Sequence, residues 1–302
     1  MQEIDLTKSK DVIGAYNSID FSFERKTYTD YGTQYCFNVL DGEIVAGYNI
    51  QLACFRHLRD LQRQGDKDFP YVYSVEAFNR FLKFLSLVPN VDDLSQKLEP
   101  MDWQYFIFAQ LFAWFDLDDV PRFSNIIISI ARSQGKTMIA GICLNFSYLI
   151  EIIGQSNQDF LVSSLNFDQT MKLYTYVKSM MARIIENEPF KSLAEETQVQ
   201  LYSREIKSLV DANTIHTISF ESGKFDGKHF KLAVADEVGE LRTDEGISKI
   251  TSGQVNTEGS RFIEISTSYQ TPDVPFHQEQ KKLIEIMERD FDRSGDDQLC
   301  LI

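Results

Sequence analysis

Four residues in this chain are of the types, and in the settings, that phosphoryl chemistry requires: Lys136, Thr137, Asp236 and Glu237. Gly135-Lys136-Thr137 ends the segment Ile-Ala-Arg-Ser-Gln-Gly-Lys-Thr at 130–137, between one apolar run (Phe123 to Ile130) and another (Met138 to Ile153). A loop joining a strand to a helix points backbone N–H groups at a phosphate, and the helix N-terminus adds partial positive charge. Ser133, Gln134 and Gly135 would line such a cradle, Lys136 would neutralise the β- and γ-phosphates, and the Thr137 hydroxyl would ligate Mg²⁺. The full Walker A pattern has glycine where this chain has Ile130, so the match is incomplete.

The second constellation is Lys231-Leu232-Ala233-Val234-Ala235-Asp236-Glu237, an apolar strand pattern closed by two carboxylates. Asp236 could enter the Mg²⁺ shell, and Glu237 could orient and deprotonate an attacking water. Acidic residues also end strands merely for solubility, but two such motifs in the required order point to nucleotide hydrolysis. Arg132, inside the loop, reads either as a cation for transition-state charge or as a surface arginine. Ser266-Thr267-Ser268 follows a further strand, where hydroxyls could sense the γ-phosphate or simply form a polar turn. The Gln104 amide could read an adenine edge, although most helical glutamines are solvated.

These groups need elements to hold them. Helical periodicity runs from Gly42 to Arg63 and from Val75 to Val88, where Pro89 stops it, whereas residues 1–40 show no clean period. Trp103 to Phe115 reads as an apolar helix, Phe123 to Ile130 as a buried strand and Lys136 to Ile153 as a buried helix. Beyond it come a strand at Asp159 to Ser164, a helix at Phe167 to Glu186 and two or three short strands between Val199 and Phe220. Strands at Phe230 to Ala235 and Arg261 to Thr267 and a helix at Pro275 to Arg289 follow. Strands alternating with helices predict an α/β domain with a mainly parallel sheet. The change of texture near Pro100 divides the chain into a helical lead-in, 1–100, and a core, 101–302. Gln298 to Ile302 reads as the start of another strand, as though the chain belonged to something longer.

Composition narrows the class. A hydrophobic fraction of 43%, with 23 Phe and 13 Tyr, describes a packed globular protein. The net charge of −15 disfavours coating nucleic acid through bulk electrostatics, but permits contact through a few local cations. Lys172, Lys178 and Arg183 on one expected helix, and Lys224, Lys228 and Lys231 before the Asp-Glu strand, serve equally well as such contacts or as solvated faces. The four cysteines and four histidines lack metal spacing, and no signal peptide or adequate apolar span is present, so a soluble cytoplasmic protein is expected.

As an ordered set, these residues resemble the ATPase half of the large terminase subunit of tailed bacteriophages. The likeness includes Gly42-Glu43-Ile44-Val45-Ala46, Ile50-Gln51-Leu52-Ala53-Cys54-Phe55-Arg56 and Trp103-Gln104. It continues with Ala131 to Thr137, Leu165-Asn166-Phe167-Asp168-Gln169, Asp226-Gly227, Asp236-Glu237 and Ser266-Thr267-Ser268. The resemblance implies a P-loop sheet of the ASCE type, in which an extra strand separates the two Walker strands. The interval between Lys136 and Asp236 has room for that strand. It further implies Mg²⁺-dependent ATP hydrolysis driving double-stranded DNA into a procapsid, in the host cytoplasm, by a homo-oligomeric ring docked on a portal protein and aided by a small terminase subunit. A trans arginine from a neighbouring subunit would be supplied by Arg183, Arg204, Arg242 or Arg261. The nuclease half of that family is not expected within these residues. The rival readings are a helicase-like ASCE ATPase and an assembly protein that binds nucleotide without turning it over.

Overall fold

The structure, a computed structural model of the chain, describes residues 3–93, 96–267, 273–292 and 294–301. The chain forms two compact units, each built from separate stretches: residues 1–80, 100–127 and 278–302 make the first, 81–99 and 128–277 the second.

The first unit opens with helices where the sequence showed no period: α1 (Val12–Asn17), α2 (Ser22–Thr27) and α3 (Tyr31–Leu40). Asp11 and Asp30 cap α1 and α3 by accepting the Gly14 and Thr33 N–H groups. Helix α3 buries seven of its ten residues, so no polar stripe betrays it. Helix α4 (Tyr48–Arg63) begins later than its periodicity suggested. Gly42, at φ +85°, turns the chain, and Gly47 precedes the first helical residue. Next come β1 (Tyr71–Tyr73), α5 (Val75–Leu85), α6 (Asp102–Ala113) and β2 (Trp114–Asp116). The apolar run Trp103 to Phe115 is therefore a helix that gives way to a strand, with Trp114 opposite Tyr73 in an antiparallel pair. An unbroken apolar stretch carries no period to mark such a change.

Charge holds this unit together as well as packing. Arg122 is fully buried against Asp60 (2.9 Å), its guanidinium 4.6–4.9 Å from the rings of Phe69, Tyr71, Trp114 and Phe123. Burial alone would raise the Asp60 carboxyl, but Arg122, Arg63 and Arg56 together hold it well below the usual range. Arg59 and Arg63 pair with Asp290, and Arg56 donates to the carbonyls of Gly295 and Gln298, each at 2.8 Å.

The second unit carries the sheet. Strand β3 (Asn125–Ser129) begins in the first unit and ends in the second, whose further elements are α7 (Lys136–Phe146), β4 (Asp159–Ser163), α8 (Phe167–Ile184), α9 (Phe190–Thr197), β5 (Val199–Leu201), β6 (Glu205–Ser208), β7 (Thr214–Thr217), β8 (Phe230–Asp236), α10 (Glu245–Gln254) and β9 (Arg261–Ser266). Helix α11 (Pro275–Met287) starts here and ends in the first unit, which also contains β10 (Gln298–Leu301) beside β3. The strand order is β3-β9-β8-β4-β7-β6-β5, with β8 parallel to both β4 and β9, β4 parallel to β7, and β5–β6–β7 an antiparallel edge. Their near-continuous burial explains the apolar runs in β3, β4 and β8.

Two expectations change. The strand separating the Walker strands is β9, which follows Asp236 in sequence, whereas the interval between Lys136 and Asp236 supplies β4 to β7 on the far side of β8. The helix after the phosphate loop stops at Phe146 and widens into a π-turn at Ser147–Glu151. That turn sets both the Ser147 hydroxyl and the Glu151 carboxylate on the buried guanidinium of Arg261.

Candidate active site

Three strand ends and one loop build the site. Ile126, Ile127 and Ile128 anchor β3 in the core, and the chain then leaves the sheet as an exposed loop, Ala131–Gln134. Ser133 (φ +60°) and Gly135 (φ +80°) adopt left-handed backbone, and Gly135 is the residue from which α7 starts. A left-handed turn into a helix is where glycine costs least, which gives Gly135 its place. Ile130, standing where the Walker pattern has glycine, donates its N–H to the Ser266 carbonyl (3.0 Å) and ties the loop to β9.

Lys136 and Glu237, 101 residues apart in sequence, meet here: Nζ donates to Oε1 at 2.9 Å. The Lys136 side chain is 9% exposed and that of Glu237 23%. Glu237 sits at φ +60°, uncommon for a residue with a Cβ, and its N–H donates to both Asp236 Oδ1 and the Ile265 carbonyl at 2.9 Å. The neighbouring Asp236 carboxyl is pushed up to about 6, first by burial and then by the Glu237 carboxylate, against the opposing pull of Lys136 and the Glu237 N–H.

The two described hydroxyls of the Ser-Thr-Ser segment are placed differently. Ser266 is engaged: its Oγ accepts the Gly239 N–H (2.9 Å) and donates to the Thr267 carbonyl (3.1 Å). Thr267 Oγ1 is buried and, among the described residues, has no hydrogen-bond partner. Ser268 lies outside the described residues. Ser164, which sequence reasoning did not single out, donates its Oγ to the Asp236 carbonyl at 3.1 Å. The signal available was the clustering of hydroxyls just past apolar strands, at Ser163-Ser164 and Ser266-Thr267.

The remaining candidates fall as follows. Thr137 is half-buried on the first turn of α7; Arg132, Ser133 and Gln134 are exposed on the loop. Gln104 belongs to the first unit, where its Oε1 accepts the Met101 N–H (2.9 Å) in a capping box at the start of α6. Arg261 is buried against Glu151, which removes it from any surface; Arg183 pairs with Glu186, Arg204 lies 5.1 Å over the Phe167 ring, and Arg242 is exposed. Of the lysines, Lys178 donates to the Tyr202 carbonyl, Lys231 to the Glu258 carbonyl, and Lys228 faces His216 and Asp159. Lys172 and Lys224 remain exposed.

The donor set fits a hard divalent cation. The buried ammonium of Lys136 pairs with Glu237 and pulls electrostatically on the adjacent Asp236 carboxyl, Thr137 follows it on the first turn of α7, and every candidate ligand is oxygen. No cluster of three or more His, Cys, Asp or Glu side chains that could cage a metal occurs among the described residues. Mg²⁺ shared with phosphate oxygens needs only one or two protein ligands.

A phosphate loop between strand and helix, an acidic pair closing a second strand and a third strand inserted between them define a P-loop NTPase of the ASCE type. The sequence matches the family described as "Terminase large subunit, ATPase domain" over residues 102–283, and the chain belongs to that family. Among solved structures it is similar to the large terminase of bacteriophage HK97, at 19% identity and a TM-score of 0.57, covering 74% of this chain and 43% of that one. It is also similar to an arginine-to-alanine mutant of the large terminase ATPase domain of Thermus phage P74-26, at 12% identity and a TM-score of 0.53, covering 76% of this chain and 86% of that one. These likenesses establish the fold, and the chain spans less than half the length of the HK97 protein. No curated protein sequence matches it. No helix among the described residues is long and apolar enough to cross a membrane.

Proposed function

We propose that this chain hydrolyses ATP with Mg²⁺ to move double-stranded DNA into a procapsid, acting in the host cytoplasm as one subunit of a ring that engages a portal protein and a small terminase subunit. The meeting of Lys136 and Glu237 at 2.9 Å carries the reading, because it sets a phosphate-binding cation beside a carboxylate able to take a proton from water. Backbone N–H groups of Ser133, Gln134 and Gly135 cradle the phosphates, and Lys136 and Arg132 offset charge on the γ-phosphoryl group. Thr137 and Asp236 would hold Mg²⁺, which would supply positive charge to offset that of the phosphates. Glu237 accepts a proton from the attacking water as its oxygen bonds to phosphorus and ADP departs.

Ser266 and Thr267 divide the coupling role. The engaged Ser266 hydroxyl holds the turn after Asp236-Glu237 onto β9, which supports a fixed frame, while the buried Thr267 hydroxyl supports a sensor of γ-phosphate or water. DNA would be held through phosphates by few cations, given the net charge of −15, so binding should weaken with salt in proportion to that small number of contacts. The adenine-reading role of Gln104 belongs to the same proposal, and the ratio of ATP to GTP turnover in Gln104→Ala tests it.

The decisive experiment is phosphate release by Glu237→Gln. Turnover should fall at least about 100-fold while nucleotide binding persists; wild-type turnover in that variant overturns the assignment.

A further inference from the structure

Lys136 has more to do here than await a phosphate. In this arrangement its ammonium is engaged by the Glu237 carboxylate, and the contact joins two largely shielded side chains. The carboxylate is fixed from behind. Its backbone N–H is shared by Asp236 Oδ1 and the Ile265 carbonyl, and the following turn is held by the Ser266 hydroxyl on the Gly239 N–H. The lysine is fixed too, as the first residue of α7 directly after the left-handed Gly135. Both partners are thus set against each other by backbone they do not control.

We infer that the Lys136–Glu237 ion pair is a latch displaced by nucleotide: while it is closed, Lys136 is withheld from phosphate and Glu237 from water, and an entering phosphate opens it by taking over the lysine. This rests on the proposed function and adds an exchange step to it. A shielded charge-assisted pair must be given up for the phosphate contact to form, so affinity for nucleotide is lower than the cradle alone would provide. The same exchange frees the carboxylate only when a phosphate is present.

A shortened carboxylate separates this from plain charge repulsion. Glu237→Asp keeps the negative charge but draws it back by one methylene from Lys136, and Asp tolerates left-handed backbone well, so the fold should persist. Glu237→Gln removes the charge. Titration of the whole chain with Mg²⁺ and a fluorescent ADP analogue should give dissociation constants about tenfold lower for both variants than for wild type, a change of about 1.4 kcal/mol. If only Glu237→Gln binds more tightly, repulsion between carboxylate and phosphate accounts for the gain and the latch is refuted. If neither does, while wild type binds and hydrolyses ATP, the latch alone fails. If wild type does not bind nucleotide at all, the functional reading fails and the latch with it.

Discussion

Histidine 57 lets the stability of the first unit be predicted as a function of pH. Its ring is buried, with Nδ1 facing the Gln110 amide (2.9 Å) and the Trp114 indole N–H (3.3 Å), and Nε2 against the Thr33 hydroxyl (3.0 Å). An indole N–H can only donate, so Nδ1 must accept and the proton sits on Nε2. A second proton would be driven into a buried ring facing a donor, and burial lowers the imidazole from 6.5 to about 4. The unfolded chain therefore binds this proton near pH 6.5 and the folded chain only near 4. The stabilisation from neutral His57 is complete above pH 6.5 and is lost as pH falls towards 4. The full effect is about 3 kcal/mol and the loss at pH 5 about 2 kcal/mol. Trp114 is one of two tryptophans, so a Trp103→Phe background makes its fluorescence the reporter of urea unfolding. The urea midpoint should drop between pH 7 and 5 in that background and drop much less when His57→Gln is added. An equal drop in both would refute the placement of the neutral ring.

Two further outcomes are expected. Thr267→Val replaces a buried hydroxyl that has no described partner with a methyl of similar size. It should cost little stability, within about 1 kcal/mol by thermal melting, yet lower DNA-stimulated phosphate release more than basal release; equal losses would reject a coupling role. Arg122→Leu should destabilise the first unit by about 3 kcal/mol in urea unfolding, because it leaves Asp60 buried with less counter-charge. That lies at the lower end of such losses, since Arg56 and Arg63 remain beside the same carboxylate.

The roles of individual residues differ in how far the linear sequence could assign them. The strand, loop and helix around Gly135-Lys136-Thr137 and the acidic end of β8 were legible, because the first are local and Asp236-Glu237 closes a run whose burial dictates its composition. The meaning of Ile130 was not. Only the structure relates its N–H to the Ser266 carbonyl, so that what reads as a damaged motif is also a tie between loop and strand. Arg261 carries the same lesson: an arginine opening a strand looks available for a neighbour, until the π-turn brings Glu151 and Ser147 to it in the interior.

By itself the sequence determined which segments are strands and helices wherever burial leaves a period or a β-branched run, and which residue types could handle a phosphate. Helices α1, α2, α3, α9 and α10 escaped it, the first two because they are six residues each, α3 because it is buried nearly all round, and α9 and α10 because eight and ten residues with few buried positions leave little period to read. Tertiary structure alone decided the order of the sheet. Strand β9 lies between β3 and β8 although it follows both in sequence, since pairing is settled by which edges are free when the crossover helices have packed, and local propensity carries no record of that. That order brings the ends of β3, β8 and β9 together, and with them Lys136, Glu237 and Thr267.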